Sequence, residues 1–197
     1  VAADVRARGV KVIKMADAFP EAQKDPHIWL DPVFVQKQIE IIRDALEEID
    51  ATNVASYKKN EAGYVAELKK LDSEIKNGLA KCEQKTVVVS HDAFGYFAKR
   101  YNFEALSISG ISPDEEPSAK ALADLAKIVR EKKIKYIFFE ELVSIKLADT
   151  LASEVGAWTL LLHTVEGLTP QQQKSGANYL SLMRENLTNL KTARVCR

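Results

Sequence analysis

The chain has 197 residues, 46% hydrophobic and 28% charged, the ordinary mix of a globular protein long enough to bury a sizeable core. Its 28 lysines and arginines equal its 28 aspartates and glutamates, so the formal charge is zero and gives no support for nucleic-acid binding. No apolar stretch is long enough to span a membrane.

The chain begins with Val1 and no signal-peptide pattern follows, so a processed or truncated product is expected. Residues 2–8 read as the end of a helix, and Gly9 leads into a short predicted strand at Val10, Lys11, Val12 and Ile13. Residues 16–26 are polar and loop-like. Asp31 suits a helix cap and Pro32 the first helical position, and Val35, Ile39, Ile42 and Leu46 then recur at helical spacing. A second helix, capped by Asn53, carries a stripe through Tyr57, Tyr64, Leu68, Leu71 and Ile75 to about Leu79. Its length of roughly 40 Å would brace two parts of a molecule.

Beyond residue 85 strands and helices alternate. Residues 86–90 form a β-branched run typical of a strand buried on both faces, and a helix follows through Phe94, Phe97 and Ala98. Further strands are predicted at 104–108, 134–139 and 159–162. Helices are predicted from Pro117, at 146–155 and at about 172–192. This alternation predicts a parallel, doubly wound α/β lobe. Cys82 and Cys196 match no metal or redox spacing, so a disulfide and two separate thiols both stay open, and the compartment cannot be read from them.

Parallel sheets bind ligands at the carboxyl ends of their strands. Three predicted strands end there in potential metal ligands: His91 and Asp92, Glu140 and Glu141, and His163 with Glu166. His27 sits between two proline-stiffened turns, Asp25-Pro26 and Asp31-Pro32, as a ligand on a rigid support should. A histidine packed against Trp29 is the competing reading for His27, and a helix cap or a satisfied buried histidine for His91. His163 could lie on the rim or point aside. Clustered cysteines, the usual sign of structural zinc, are absent. Ligands so widely spaced in sequence point to a site between two lobes.

Several segments in fixed order resemble the metal-binding solute-binding proteins of ABC importers, nearest their zinc branch of ZnuA- and AdcA-like proteins. They are Asp-Pro-His-Ile-Trp-Leu-Asp-Pro from Asp25, Ser-His-Asp-Ala-Phe-Gly-Tyr-Phe from Ser90, and Ile-Ser-Gly-Ile-Ser-Pro-Asp-Glu-Glu-Pro from Ile108. Phe-Phe-Glu-Glu from Phe138 and Val-Glu-Gly-Leu-Thr from Val165 extend the match over nearly the whole chain.

The resemblance implies an α/β, two-lobed solute-binding protein with parallel sheets joined by a long rigid helix and metal held in the cleft. It implies a remainder of the N-terminal lobe at 1–52, the linking helix at 53–80 and a complete C-terminal lobe at 81–197. By position, His27, His91 and Glu166 would be metal ligands. The family's first histidine ligand belongs to an early part of the first lobe that this chain is expected to lack. Zinc is the implied ion, because manganese members more often carry a carboxylate where this chain has His91, and imidazole-rich sites suit zinc. Manganese binding is the alternative.

The expected role is extracytoplasmic binding of the ion, in the periplasm or lipid-anchored outside the cell membrane, and delivery to an ABC transporter permease. Membrane attachment would come only through a lipid anchor outside this chain. No catalytic activity is expected. A zinc-dependent hydrolase using Asp92, Glu140 or Glu141 as general base is the competing class, and cell adhesion is a further role described for relatives. The histidine-rich loop of many zinc members has no counterpart, since residues 16–24 contain no histidine.

Overall fold

The computed structural model describes residues 8–20 and 24–197. Residues 2–7, expected at the end of a helix, lie outside the described residues. Val10, Lys11, Val12 and Ile13 do not form the predicted strand, and Val10 and Ile13 are exposed. Three β-branched residues and a lysine make a strand only where a neighbour takes up their backbone groups, and no strand pairs with them among the described residues.

Helix α1 spans Pro32–Ile49 as its start signal predicts: Pro32 takes the first helical position and the Asp31 carboxylate accepts from the Val33 N–H. Helix α2 spans Val54–Gly78, 25 residues and about 38 Å. Asn53 does not cap it through its side chain. Instead Asp50 organises the turn, accepting from Thr52 N–H, Asn53 Nδ2 and Tyr57 OH. The first half of α2 packs on α1, with Arg43 of α1 paired to Glu61 at 2.9 Å. Its second half buries Leu68, Leu71 and Ile75, the last two in the core of the following lobe.

That lobe contains one sheet of four parallel strands, β1 Thr86–Val89, β2 Glu104–Ser107, β3 Tyr136–Phe139 and β4 Trp158–Leu161, in the order β2-β1-β3-β4. The helices between them are α3 Gly95–Arg100, α4 Ala119–Glu131 and α5 Lys146–Val155. All four residues of β1 are buried, as its unbroken β-branched run predicts. The period-2 alternation sorts the core: Val88 and Ile137 face α4 and α5 through Val129, Leu151 and Ala152. Val87, Val89 and Phe138 face the other side, with Leu71 and Ile75 of α2 and Phe97 of α3.

Helix α4 starts after Ser118, whose hydroxyl accepts from Ala121 N–H, so Pro117 precedes the cap instead of opening the helix. The predicted helix at 172–192 is two, α6 Pro170–Ser175 and α7 Tyr179–Arg194. Gly176 stops α6 in the left-handed conformation at φ +72°, and Asn178 starts α7 with a reciprocal capping pair to Ser181. Cys82 and Cys196 form a disulfide that ties the segment after α2 to the end of α7.

β1 is followed in the chain by β2 on one side of it and β3 lies on its other side, so the order reverses between β1 and β3. Crevices form at such a reversal, at the carboxyl ends of the two strands.

Candidate metal centre

His91 is the second residue beyond β1 and Glu140 the first beyond β3, so both stand at that crevice. His91 is 0% exposed, Glu140 is 4% exposed, and the imidazole Nδ1 lies 2.7 Å from Glu140 Oε1. His27 comes from the segment before α1 and is also buried. Its Nδ1 lies 2.7 Å from Asp25 Oδ1, which accepts the His27 backbone N–H as well, at 3.0 Å. Ionised carboxylates only accept, so each Nδ1 carries the proton and each Nε2 presents a lone pair. The two Nε2 atoms face each other at 3.3 Å, and Glu166 Oε1 lies 3.7 Å from Nε2 of His27. One ligand atom from each of His27, His91 and Glu166 falls within 4.8 Å of the others.

Two lone pairs and a carboxylate converging on one point repel unless a proton or a cation lies between them. The carboxylate behind each ring strengthens the demand for positive charge, because it holds the tautomer that aims Nε2 at this point. Burial alone lowers the His91 pKa, but its hydrogen bond to Glu140 and the charges of Glu140, Glu166 and Asp92 outweigh that and leave it raised. Protons and metal therefore compete for the same nitrogen. The Glu166 side chain is 37% exposed, so the site opens to solvent on that side.

The segment bearing His27 is fastened to the second lobe by several bonds. Tyr96 OH donates to Asp25 O at 2.8 Å, Tyr179 OH donates to Trp29 O at 2.9 Å, and Trp29 Nε1 donates to Thr164 O at 2.8 Å. Asp31 also meets Arg100 of α3 at 2.5 Å. Burial raises the Asp31 pKa, and the Arg100 guanidinium only partly offsets this. Gly95 gives Asp25 room, since a Cβ there would stand 3.2 Å from Asp25 Oδ2.

His163 is not part of the group. It is buried and points aside, with Nδ1 2.5 Å from Glu141 Oε1 and Nε2 3.1 Å from Glu185 Oε2, a contact without hydrogen-bond alignment. Glu140 and Glu141 are successive residues leaving a strand, so they face opposite ways and each takes a different histidine. Both carboxylates are engaged with an imidazole.

Sequence reasoning named the three converging residues and the packing of Trp29 against His27, which the structure shows, but missed Asp25, Glu140, Tyr179 and Arg100 as supports. Of these, Asp25 had a local signal, a carboxylate two residues before His27 and so able to turn back onto it.

A family model named ZnuA, described as zinc-uptake complex component A periplasmic, matches residues 2–193. The high-affinity zinc uptake system protein ZnuA of Bacillus subtilis (strain 168) is 44% identical over 167 residues, 85% of this chain. The match covers 52% of that protein, so the chain spans about half of its length. The Zn(II)-bound ZnuA-like domain of Streptococcus pneumoniae AdcA superposes with a TM-score of 0.79 at 42% identity, covering 94% of this chain and 70% of that one. The laminin-binding protein Lbp of Streptococcus pyogenes superposes with a TM-score of 0.85 at 33% identity, covering 94% of this chain and 72% of that one.

Proposed function

Because the chain belongs to the ZnuA family of zinc-uptake components, a family of solute-binding proteins and not of enzymes, we propose that it binds a zinc ion between His27, His91 and Glu166. The observation that carries the reading is the convergence of those three ligand atoms within 4.8 Å, at the strand-order reversal of the sheet. Two neutral imidazoles and one carboxylate suit zinc better than manganese, which prefers oxygen ligands. Zinc is cargo here. The chain's own part is to hold the two rings in one tautomer, keep them dry and leave one exposed side, at Glu166, by which the ion enters and leaves.

In the same reading the protein works outside the cytoplasm and hands its ion to an ABC importer permease. The division at 1–52, 53–80 and 81–197 is part of this proposal, supported by α2, whose two halves pack on α1 and on the sheet lobe.

Isothermal titration with zinc and manganese, on the chain and on its His27→Ala, His91→Ala and Glu166→Ala variants, tests the proposal. Zinc should bind more tightly than manganese, and each substitution should weaken it at least tenfold. Unchanged affinity in both histidine variants would refute the site.

A further inference from the structure

Two of the three ligand segments are joined by a single side chain. Trp29, two residues after His27, donates its indole N–H to the carbonyl of Thr164, two residues before Glu166. Trp29 is itself fixed at both ends. Its carbonyl accepts from Tyr179 OH at the start of α7, and its ring meets His27 edge-on at a centroid distance of 5.3 Å.

The turn that it holds is strained. Val165, between Thr164 and Glu166, has φ +57°, a conformation that a β-branched residue adopts only under outside restraint. On the near side that restraint comes from Asn186, which pairs with both the N–H and the carbonyl of His163 at 2.7 and 2.8 Å. The next carbonyl, on the buried Thr164 just before the strained residue, is the one Trp29 takes. Glu166 has a partly exposed side chain, so its place near His27 depends on the backbone of this turn. His27 and His91 differ, since each is locked by its own carboxylate.

We propose that Trp29 is a positioning residue for the metal site: its indole N–H holds the strained Thr164–Val165–Glu166 turn so that the Glu166 carboxylate reaches the ion gripped by His27 and His91. The proposal rests on the ligand assignment above. Loss of the N–H weakens the contribution of Glu166 and leaves the histidine pair in place.

The test is a double-mutant cycle on the full chain, with zinc affinity of the parent, Trp29→Phe, Glu166→Ala and the double variant. Phenylalanine keeps a ring against His27 and removes the donor. Trp29→Phe should weaken zinc about tenfold, the scale of a lost part-buried hydrogen bond. Glu166→Ala should then cost far less in the Trp29→Phe background than in the parent, and the cobalt(II) absorption of Trp29→Phe should approach that of Glu166→Ala. Strictly additive costs, or unchanged affinity in Trp29→Phe, would overturn the proposal. Unchanged affinity in Glu166→Ala alone would instead remove Glu166 from the ligand set, and this proposal with it. Should the variant fold poorly, hydrogen exchange of the parent decides: the Trp29 indole proton should be protected and further slowed by zinc. Exchange as fast as that of Trp158, which is 72% exposed, would refute the bond.

Discussion

Replacing Glu140 by glutamine isolates what the buried carboxylate does for His91. The pair is 0% and 4% exposed and separated by 2.7 Å, so solvent screening gives little reason to discount it. A hydrogen bond to a charged group contributes about 1.5–3 kcal/mol, which converts to roughly a 10- to 150-fold change in an equilibrium. Substitution behind a metal-bound histidine costs about 10- to 100-fold in affinity, so two independent scales agree. Glutamine still offers one acceptor to Nδ1, which places Glu140→Gln near the lower end, about tenfold weaker for zinc at neutral pH. The pH dependence should move as well. Burial lowers the His91 pKa and Glu140 contributes most to raising it, so without that charge His91 holds its proton less tightly. Proton competition then begins at a lower pH, and the variant should lose less affinity than the parent as pH falls. Zinc titrations with a competing chelator across roughly pH 5.5 to 8 (the histidine range) read both effects. Equal affinities at neutral pH, or superimposable pH profiles, would show that Glu140 does not tune His91.

Further predictions concern stability. His163 has a raised pKa: burial lowers it, but the contacts with Glu141 and Glu185 outweigh that. Its stabilising contribution is therefore complete below the unfolded value of 6.5 and is lost as pH rises through the folded one. In metal-free protein, the stability gap between the parent and His163→Gln should narrow as pH is raised from about 6 to about 9; a gap that widens would reverse the sign. Reduction of the Cys82–Cys196 bond, which spans 114 residues, should cost up to about 5 kcal/mol in guanidinium unfolding through the entropy of the released loop. A loss below about 1 kcal/mol would refute that account. Alanine should act with opposite sign at two glycines that both have open space around them. Gly176→Ala, at φ +72°, should destabilise by about 1–2 kcal/mol, whereas Gly63→Ala inside α2 should stabilise by about 0.5–1 kcal/mol. Thermal unfolding of the two variants checks the pair.

Much of the secondary structure was legible because its signals are local. The Asp31-Pro32 start of α1, the stripe of α2 and the β-branched run of β1 each state a preference within a few residues, and the structure follows them. The single helix expected at 172–192 divides in two because its apolar spacing hides a stop at Gly176 and a new cap at Asn178. The strand expected at Val10, Lys11, Val12 and Ile13 failed for a different reason, since strand formation depends on a neighbour and not on the segment alone.

By itself the sequence determined which residues could bind metal, and for His91 and Glu166 which strand ends they follow: these two and His27 carry ligand chemistry wherever they lie. Only the tertiary structure shows the physical reason why His91 joins the group and His163 does not. His91 and His163 both lie just beyond parallel strands, and both have a glutamate at the end of β3 for a partner. Successive residues leaving a strand point opposite ways, so Glu140 holds His91 toward His27 while Glu141 holds His163 away. That choice, like the disulfide and the bond from Trp29 to Thr164, depends on residues far apart in the chain, which no local pattern records.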